Sequence, residues 1–227
     1  MKPRQLPLGF PQRPALGGED FLVAPSNADA VAWLDRWPDW QQPALVIHGP
    51  PGCGKTHLSH VFRAMCGAAA VGANELTSAD PVTVAGSAAA VVVDDAEAII
   101  DASHERPLLH LYNVLKESGR HLLLTAVRPP MQWRIRLPDL ASRLNASVSV
   151  AIRAPDEALI QAVLVKLFAD RQLKVEADVI AYVLPRMERS FAAVGELVAA
   201  LDAEALAHRR NITIPLAAGV LARLFRG

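Results

Sequence analysis

Residues Gly49 to Thr56 read Gly-Pro-Pro-Gly-Cys-Gly-Lys-Thr, a complete phosphate-binding loop of the form G-x-x-x-x-G-K-[ST]. Gly49, Gly52 and Gly54 let backbone N–H groups close around phosphate oxygens, while Pro50, Pro51 and Cys53 complete the loop. Lys55 is placed to reach the β- and γ-phosphates and the Thr56 hydroxyl to ligate Mg²⁺, with His57 ending the candidate nucleotide-binding stretch. A second motif, Ala90-Val91-Val92-Val93-Asp94-Asp95, is an apolar run closed by two acids. A buried strand there delivers the carboxylates to the sheet edge beside the loop. Asp94 is then suited to the Mg²⁺ hydration shell, and Asp95 to orienting or deprotonating an attacking water. The competing reading is that both acids cap the helix that follows. Together the motifs predict binding of a nucleoside di- or triphosphate with Mg²⁺.

The elements that must position these residues follow from hydrophobic pattern. Residues 44–48 are a short apolar run that reads as a buried strand, and 56–65 continue as a helix, so phosphate would sit at a helix N-terminus. Further strands are expected at 68–71, 88–93, 121–126 and 148–152. Helices are expected at 28–37, with Pro25-Ser26-Asn27 offering a cap, and at 107–118, stopped at Gly119. Alternating strands and helices predict an α/β fold: a five-stranded parallel sheet with helices on both faces. After Pro155 the pattern changes. Residues 156–168, 177–184, 190–207 and 215–225 are apolar at helical spacing with no strand between them, so 155–227 reads as a small all-helical domain. The boundaries are 1–18 for an extended N-terminal tail, 19–154 for the nucleotide-binding core and 155–227 for the helical domain.

Composition narrows the function classes. Lys plus Arg and Asp plus Glu are 23 each, and the two signs also balance after Pro155, so bulk charge gives no support for strong direct nucleic-acid binding. There are two cysteines, one inside the phosphate loop, which predicts no disulfide framework and a reducing compartment. No run of 18 apolar residues appears and the N-terminus lacks a secretory core, so a soluble, cytoplasmic protein with no membrane partner is expected.

Three features carry a resemblance to a known family: the stretch Gly54-Lys55-Thr56-His57-Leu58-Ser59-His60, the Asp94-Asp95 pair, and Ser142-Arg143-Leu144 ahead of 148–155. Phe21 followed by Pro25-Ser26-Asn27 adds to it. In that order they resemble the AAA+ module of the DnaA family of replication initiators, over roughly residues 20–206. The resemblance implies a AAA+ P-loop NTPase core that holds ADP or ATP with Mg²⁺, and a helical lid formed by 155–227. DnaA continues into a DNA-binding domain and carries a long N-terminal domain, whereas this chain runs from Met1 to Gly227; in that respect it is similar to the short Hda group. Hda-type proteins inactivate DnaA after replication starts, so the resemblance implies DnaA as partner and inhibition of DNA replication as outcome. It leaves a homo-oligomer open.

Within that resemblance the tail gains meaning. Gln5, Leu6, Leu8 and Phe10 resemble peptides that dock on the DNA polymerase III β sliding clamp, with apolar anchors and a polar rim contact. Packing of the tail on its own domain is the alternative. The resemblance also implies that Arg143 reaches a nucleotide held by a neighbouring subunit, neutralising charge on the γ-phosphoryl group; Arg134, Arg136 and Arg153 are competing candidates, and a surface ion pair is the plain alternative. Lys55, Asp94, Asp95 and Arg143 are thus the candidate catalytic residues.

Two departures from the DnaA pattern predict feeble ATP turnover by the chain itself. Val127 stands where the family usually has an acidic or amide side chain, and valine cannot hydrogen-bond a phosphate or a water. Gly195 aligns with a nucleotide-contacting arginine, for which Arg189 is the nearest substitute. The rival reading is a DnaC/IstB-like helicase loader or transposition ATPase helper, families that share the stretch around Lys55. A pure DnaA-binding adaptor is a third. His57 and His60 lack a third metal ligand, Trp33, Trp37 and Trp40 read as packing, and Cys53 as a small loop residue rather than a lowered-pKa thiol.

Overall fold

The computed structural model describes residues 12–13, 21–78, 80–101, 104–208 and 211–225. They fall into two compact units, one spanning Gln12–Arg153 and the other running from Ala154 onward. The anchors expected at Gln5, Leu6, Leu8 and Phe10 lie outside the described residues.

The first unit is built on alternation along three central strands. In β3 (Ala44–His48), β5 (Ala90–Val93) and β6 (His121–Ala126) almost every side chain is buried. Successive side chains of a strand point to opposite faces, and these strands split accordingly. Val46, Val91, Val93, Leu122 and Leu124 join one core cluster, whereas Leu45, Ile47, Ala90, Val92 and Leu123 join another. A strand apolar on both faces must be covered on both, which favours parallel pairing with helical crossovers. The sheet order is β4 (Ala69–Val71), β5, β6, β3, β7 (Val148–Ala151), all parallel. A two-residue antiparallel pair, β1 (Gln12–Arg13) with β2 (Phe21–Leu22), stands apart from it.

Helices supply the two covers. Leu58 and Phe62 of α2 (Lys55–Cys66) and Ala30, Val31 and Leu34 of α1 (Ala28–Asp35) pack on one face. Trp40 stacks on Phe62 with ring centroids 5.5 Å apart, and Trp37 meets the same ring edge-on at 5.9 Å. The tryptophans of this segment therefore serve packing. On the other face lie α6 (Glu105–Glu117), contributing Leu108, Leu111 and Leu115, and α7 (Pro138–Ala146), contributing Leu140 and Leu144. The short helices α3 (Ala73–Ser78), α4 (Pro81–Ala85) and α5 (Ala96–Asp101) complete the unit. Neither these three nor α7 is predicted by hydrophobic periodicity, because each offers two turns or fewer of pattern, or, in α7, only two buried positions.

The second unit holds α8 (Glu157–Asp170), α9 (Ala177–Val183), α10 (Phe191–His208) and α11 (Ile214–Leu224) around one apolar cluster that includes Ile160, Leu164, Val194, Leu197, Leu201 and Val220. Asp156 caps α8 by accepting the Leu159 N–H at 2.8 Å. Ser190 sits just ahead of α10, its hydroxyl accepting the Ala193 N–H at 3.2 Å. Among the described residues no helix is long and apolar enough to cross a membrane.

Gly195 lies inside α10, and a Cβ built there meets nothing within 4 Å. Glycine in a helix interior is destabilising by roughly 0.5–1 kcal/mol relative to alanine. Gly195→Ala is therefore expected to raise stability by about that amount, measured as a shift of the urea midpoint without change in slope.

Candidate phosphate-loop site

The loop between β3 and α2 is shaped by backbone approach. Gly49 donates its N–H to the Ala126 carbonyl at 3.1 Å, which pins the loop to the end of β6. A Cβ on Gly49 would lie 2.2 Å from the Ile152 carbonyl oxygen and 3.0 Å from the Cys53 sulfur, so only glycine fits between β7 and the loop. Gly52 and Gly54 adopt φ of 70° and 100°, the left-handed region that side chains avoid. Gly54 then opens α2, whose N-terminal N–H groups point into the loop's mouth as an anion site requires. The Lys55 ammonium folds back to donate to the carbonyls of Gly49 (2.8 Å) and Pro50 (2.9 Å). Its charge is thereby held over the loop.

Cys53 is buried under the loop, and burial pushes its thiol pKa up, with Lys55 opposing that shift. It is a packed loop residue.

Parallel pairing brings the end of β5 beside the end of β6, and β6 beside β3, so the two acids and the loop share one edge. Asp94 is the hub. Its Oδ2 accepts the Thr56 hydroxyl at 2.7 Å, and its Oδ1 accepts the hydroxyl of Thr125, the fifth residue of β6. Thr125 in turn accepts the Asp95 N–H at 3.0 Å. Asp95 takes a φ of 53° and is exposed at the edge. The pair Thr56–Asp94 offers a hydroxyl and a carboxylate as adjacent hard-oxygen donors, a set that fits Mg²⁺.

Two buried carboxylates beyond the motif hold the adjoining loops. Glu97, in α5, accepts the N–H groups of Val127 (2.7 Å) and Arg128 (3.0 Å) and pairs with the Arg128 guanidinium at 2.8 Å. The Val127 side chain is 43% exposed, so its backbone alone takes part. Glu105, at the start of α6, accepts the N–H groups of Arg136 (2.9 Å) and Leu137 (2.7 Å), which fixes the entry to α7. Pro138 then starts that helix where its missing N–H does no harm. Thr125, Glu97 and Glu105 escape sequence reasoning because their partners lie 30 or more residues away.

Arg143 sits in the last turn of α7, away from the phosphate loop's own hydrogen bonds. Asp139, one turn earlier, accepts from its Nε at 2.9 Å and its Nη2 at 3.1 Å, which raises the arginine's already high pKa further. Of the competing arginines, Arg153 is engaged with the Pro25 carbonyl at 2.8 Å, while Arg134 and Arg136 are exposed. Asn27 shapes that same entry segment, accepting the Ala24 N–H and donating to the Leu22 carbonyl. In the second unit Arg189 pairs with Glu157 at 2.8 Å, both more than half exposed.

Glu97→Gln would turn an amide NH₂ toward the Arg128 donor and leave a buried group unpaired. A loss of about 1–3 kcal/mol in unfolding free energy is expected, read by urea denaturation. His48, at the end of β3, has its pKa lowered from 6.5 by burial first, with Glu97 opposing and Lys55 reinforcing. A depressed histidine makes its full contribution above the unfolded value. Stability is expected to fall as pH drops below about 6.5 toward the folded pKa, and His48→Gln to flatten that fall in denaturation curves taken from about pH 8 to about pH 5.

Residues 156–221 match the family model for the Hda lid domain. The chromosomal replication initiator protein DnaA of Thermomicrobium roseum is 30% identical over 89% of this chain, which spans about half (48%) of that relative's length. Domain III of the Thermotoga maritima replication initiation protein DnaA superposes with a TM-score of 0.81 at 16% identity, covering 96% of this chain and 100% of that one. AMPPCP-bound DnaA from Aquifex aeolicus gives 0.64 at 18% identity over 82% of this chain and 63% of its own. A P-loop core of this strand order, a helical unit matching the Hda lid and a DnaA relative aligned across most of this chain support a DnaA-like AAA+ protein related to Hda.

Proposed function

We propose that this chain is a nucleotide-holding regulator that switches off DnaA: bound to the DNA-loaded sliding clamp, it stimulates ATP hydrolysis by DnaA and so prevents repeated initiation of chromosome replication. One observation carries the reading, the match of residues 156–221 to the Hda lid on a chain that also has a complete phosphate loop. Segments 1–18, 19–154 and 155–227 act as tether, nucleotide-binding core and lid. Gln5, Leu6, Leu8 and Phe10 supply the clamp contact, with DNA polymerase III β as its partner. A tether of this kind raises the effective concentration of a second weak contact.

The chain's own site holds ADP or ATP. The N–H groups from Gly49 to Gly54 and the start of α2 surround the phosphates, and Lys55 leaves its loop carbonyls to meet them. Thr56 and Asp94 hold Mg²⁺, which supplies charge neutralisation on the phosphate oxygens when bound. Asp95 orients water. With a valine at 127 and a glycine at 195, the chain turns over ATP slowly by itself. Arg143 acts in trans: its guanidinium stabilises the charge that develops as water attacks the γ-phosphoryl group of ATP on DnaA, giving ADP and phosphate there.

The test is DnaA ATP hydrolysis measured with this chain and DNA-loaded clamp, in the cytoplasmic salt range. Strong stimulation is expected, lost on removing residues 5–10. Arg143→Ala is expected to abolish it while nucleotide and clamp binding persist, since arginine fingers contribute about 10³ or more in rate. Stimulation that survives Arg143→Ala identifies an adaptor instead. No stimulation by the intact chain, with tight binding of single-stranded DNA and a helicase, identifies a loader.

A further inference from the structure

We infer that Asp139 and Tyr112 are positioning residues for Arg143: together they fix the plane and direction of its guanidinium before any partner arrives, and leave its outer donor edge for an anion on another molecule. The inference rests on the trans role proposed for Arg143.

Spacing creates the arrangement. Asp139 and Arg143 are four apart on α7, hence on one face. Asp139 takes the side edge of the guanidinium, Oδ1 accepting from Nε at 2.9 Å and Oδ2 from Nη2 at 3.1 Å. Two parallel bonds set orientation as well as distance, which one bond cannot do. The ring of Tyr112 lies against the guanidinium, its centroid 5.5 Å from the central carbon. Tyr112 is 4% exposed and belongs to the core cluster, so the ring is a fixed platform rather than a mobile neighbour.

The helix beneath is fixed at both ends. Glu105 clamps its entry through the Arg136 and Leu137 N–H groups, and the Ser147 hydroxyl donates to the Arg143 carbonyl at 2.9 Å just past its end. Arginine has five N–H donors. Asp139 uses two of them, which leaves both N–H bonds of Nη1 and one of Nη2. Those three include the end-on fork that matches two phosphoryl oxygens. Asp139 therefore need not let go for the arginine to meet an anion.

Stability does not explain the pair, because exposed helix pairs contribute little to it. Pre-orientation does explain it. A long side chain ordered in advance avoids the ordering cost at the moment of contact, and a fork already aimed serves the transition state rather than encounter.

Two measurements test this. In the chain alone, the order parameter of the Arg143 Nε–H by ¹⁵N relaxation should be high, and should drop in Asp139→Ala and Tyr112→Leu but not in Tyr112→Phe, which keeps the ring. In the DnaA hydrolysis assay, Asp139→Ala should lower the maximal stimulated rate about tenfold while the half-saturating concentration moves less than about twofold. Tyr112→Phe should restore what Tyr112→Leu loses. Asp139→Ala and Tyr112→Leu at the full maximal rate, with Arg143→Ala inactive, overturn the inference and leave the proposed function standing. A faster Asp139→Ala also overturns it, since the carboxylate then restrains the arginine. If the wild-type chain fails to stimulate DnaA, the proposed function fails and takes the trans role with it, while the Nε–H still separates the two: a mobile wild-type group overturns positioning as well, and an ordered one lost in Asp139→Ala upholds the pre-orientation alone.

Discussion

One carboxylate ties three neighbouring strand ends together. Asp94 ends the run of β5, receives the hydroxyl of Thr125 from β6, and receives that of Thr56 from the helix that follows β3. The phosphate loop, the acidic pair and the edge of β6 thus share a single acceptor. None of this is available to a chain whose strands run otherwise: parallel pairing in the order β5-β6-β3 is what places the three C-terminal ends side by side. The apolar runs that enforce burial on both sheet faces are therefore the first cause of the site's polar geometry.

Around that centre, buried acids do for loops what the sheet does for strands. A carboxylate sealed from water without partners is strongly destabilising. Glu97 and Glu105 avoid this by each collecting at least two backbone N–H groups from a distant loop. Each therefore fixes a loop that has little regular structure of its own. Glu97 secures the turn after β6, and Glu105 secures the segment that starts α7 and so the base from which Arg143 projects.

The phosphate loop, the apolar strands and the acidic pair were legible in sequence because each is local: a fixed spacing or a run of one residue class. The change of pattern after Pro155 was legible for the same reason. Thr125 lay in plain view within an expected strand, yet its use depends on a partner 31 residues away, and no period encodes that. For α7 the obstacle was length. Nine residues with two buried leucines barely fix a helical phase, and Pro138 as a first-turn residue was the better signal. Asp139 was unreadable as a partner of Arg143 until that helix was known, since the four-residue spacing joins side chains only on a helix.

Val127 is where side-chain and backbone roles separate. A polar side chain there is absent and the valine points toward solvent, so no group at this position can report on a phosphate through its side chain. Its N–H is nevertheless held by Glu97 at 2.7 Å, and the next N–H by the same oxygen. The turn keeps its place at the sheet edge without the chemistry that a polar residue would add. Gly195 presents the same division in the helical unit, where open space surrounds the missing side chain and the helix continues through it. The frame of the phosphate site thus does not depend on the side chains at 127 and 195. That frame rests on buried carboxylates, glycine contacts and strand order, whereas the positions at 127 and 195 can change at little structural expense.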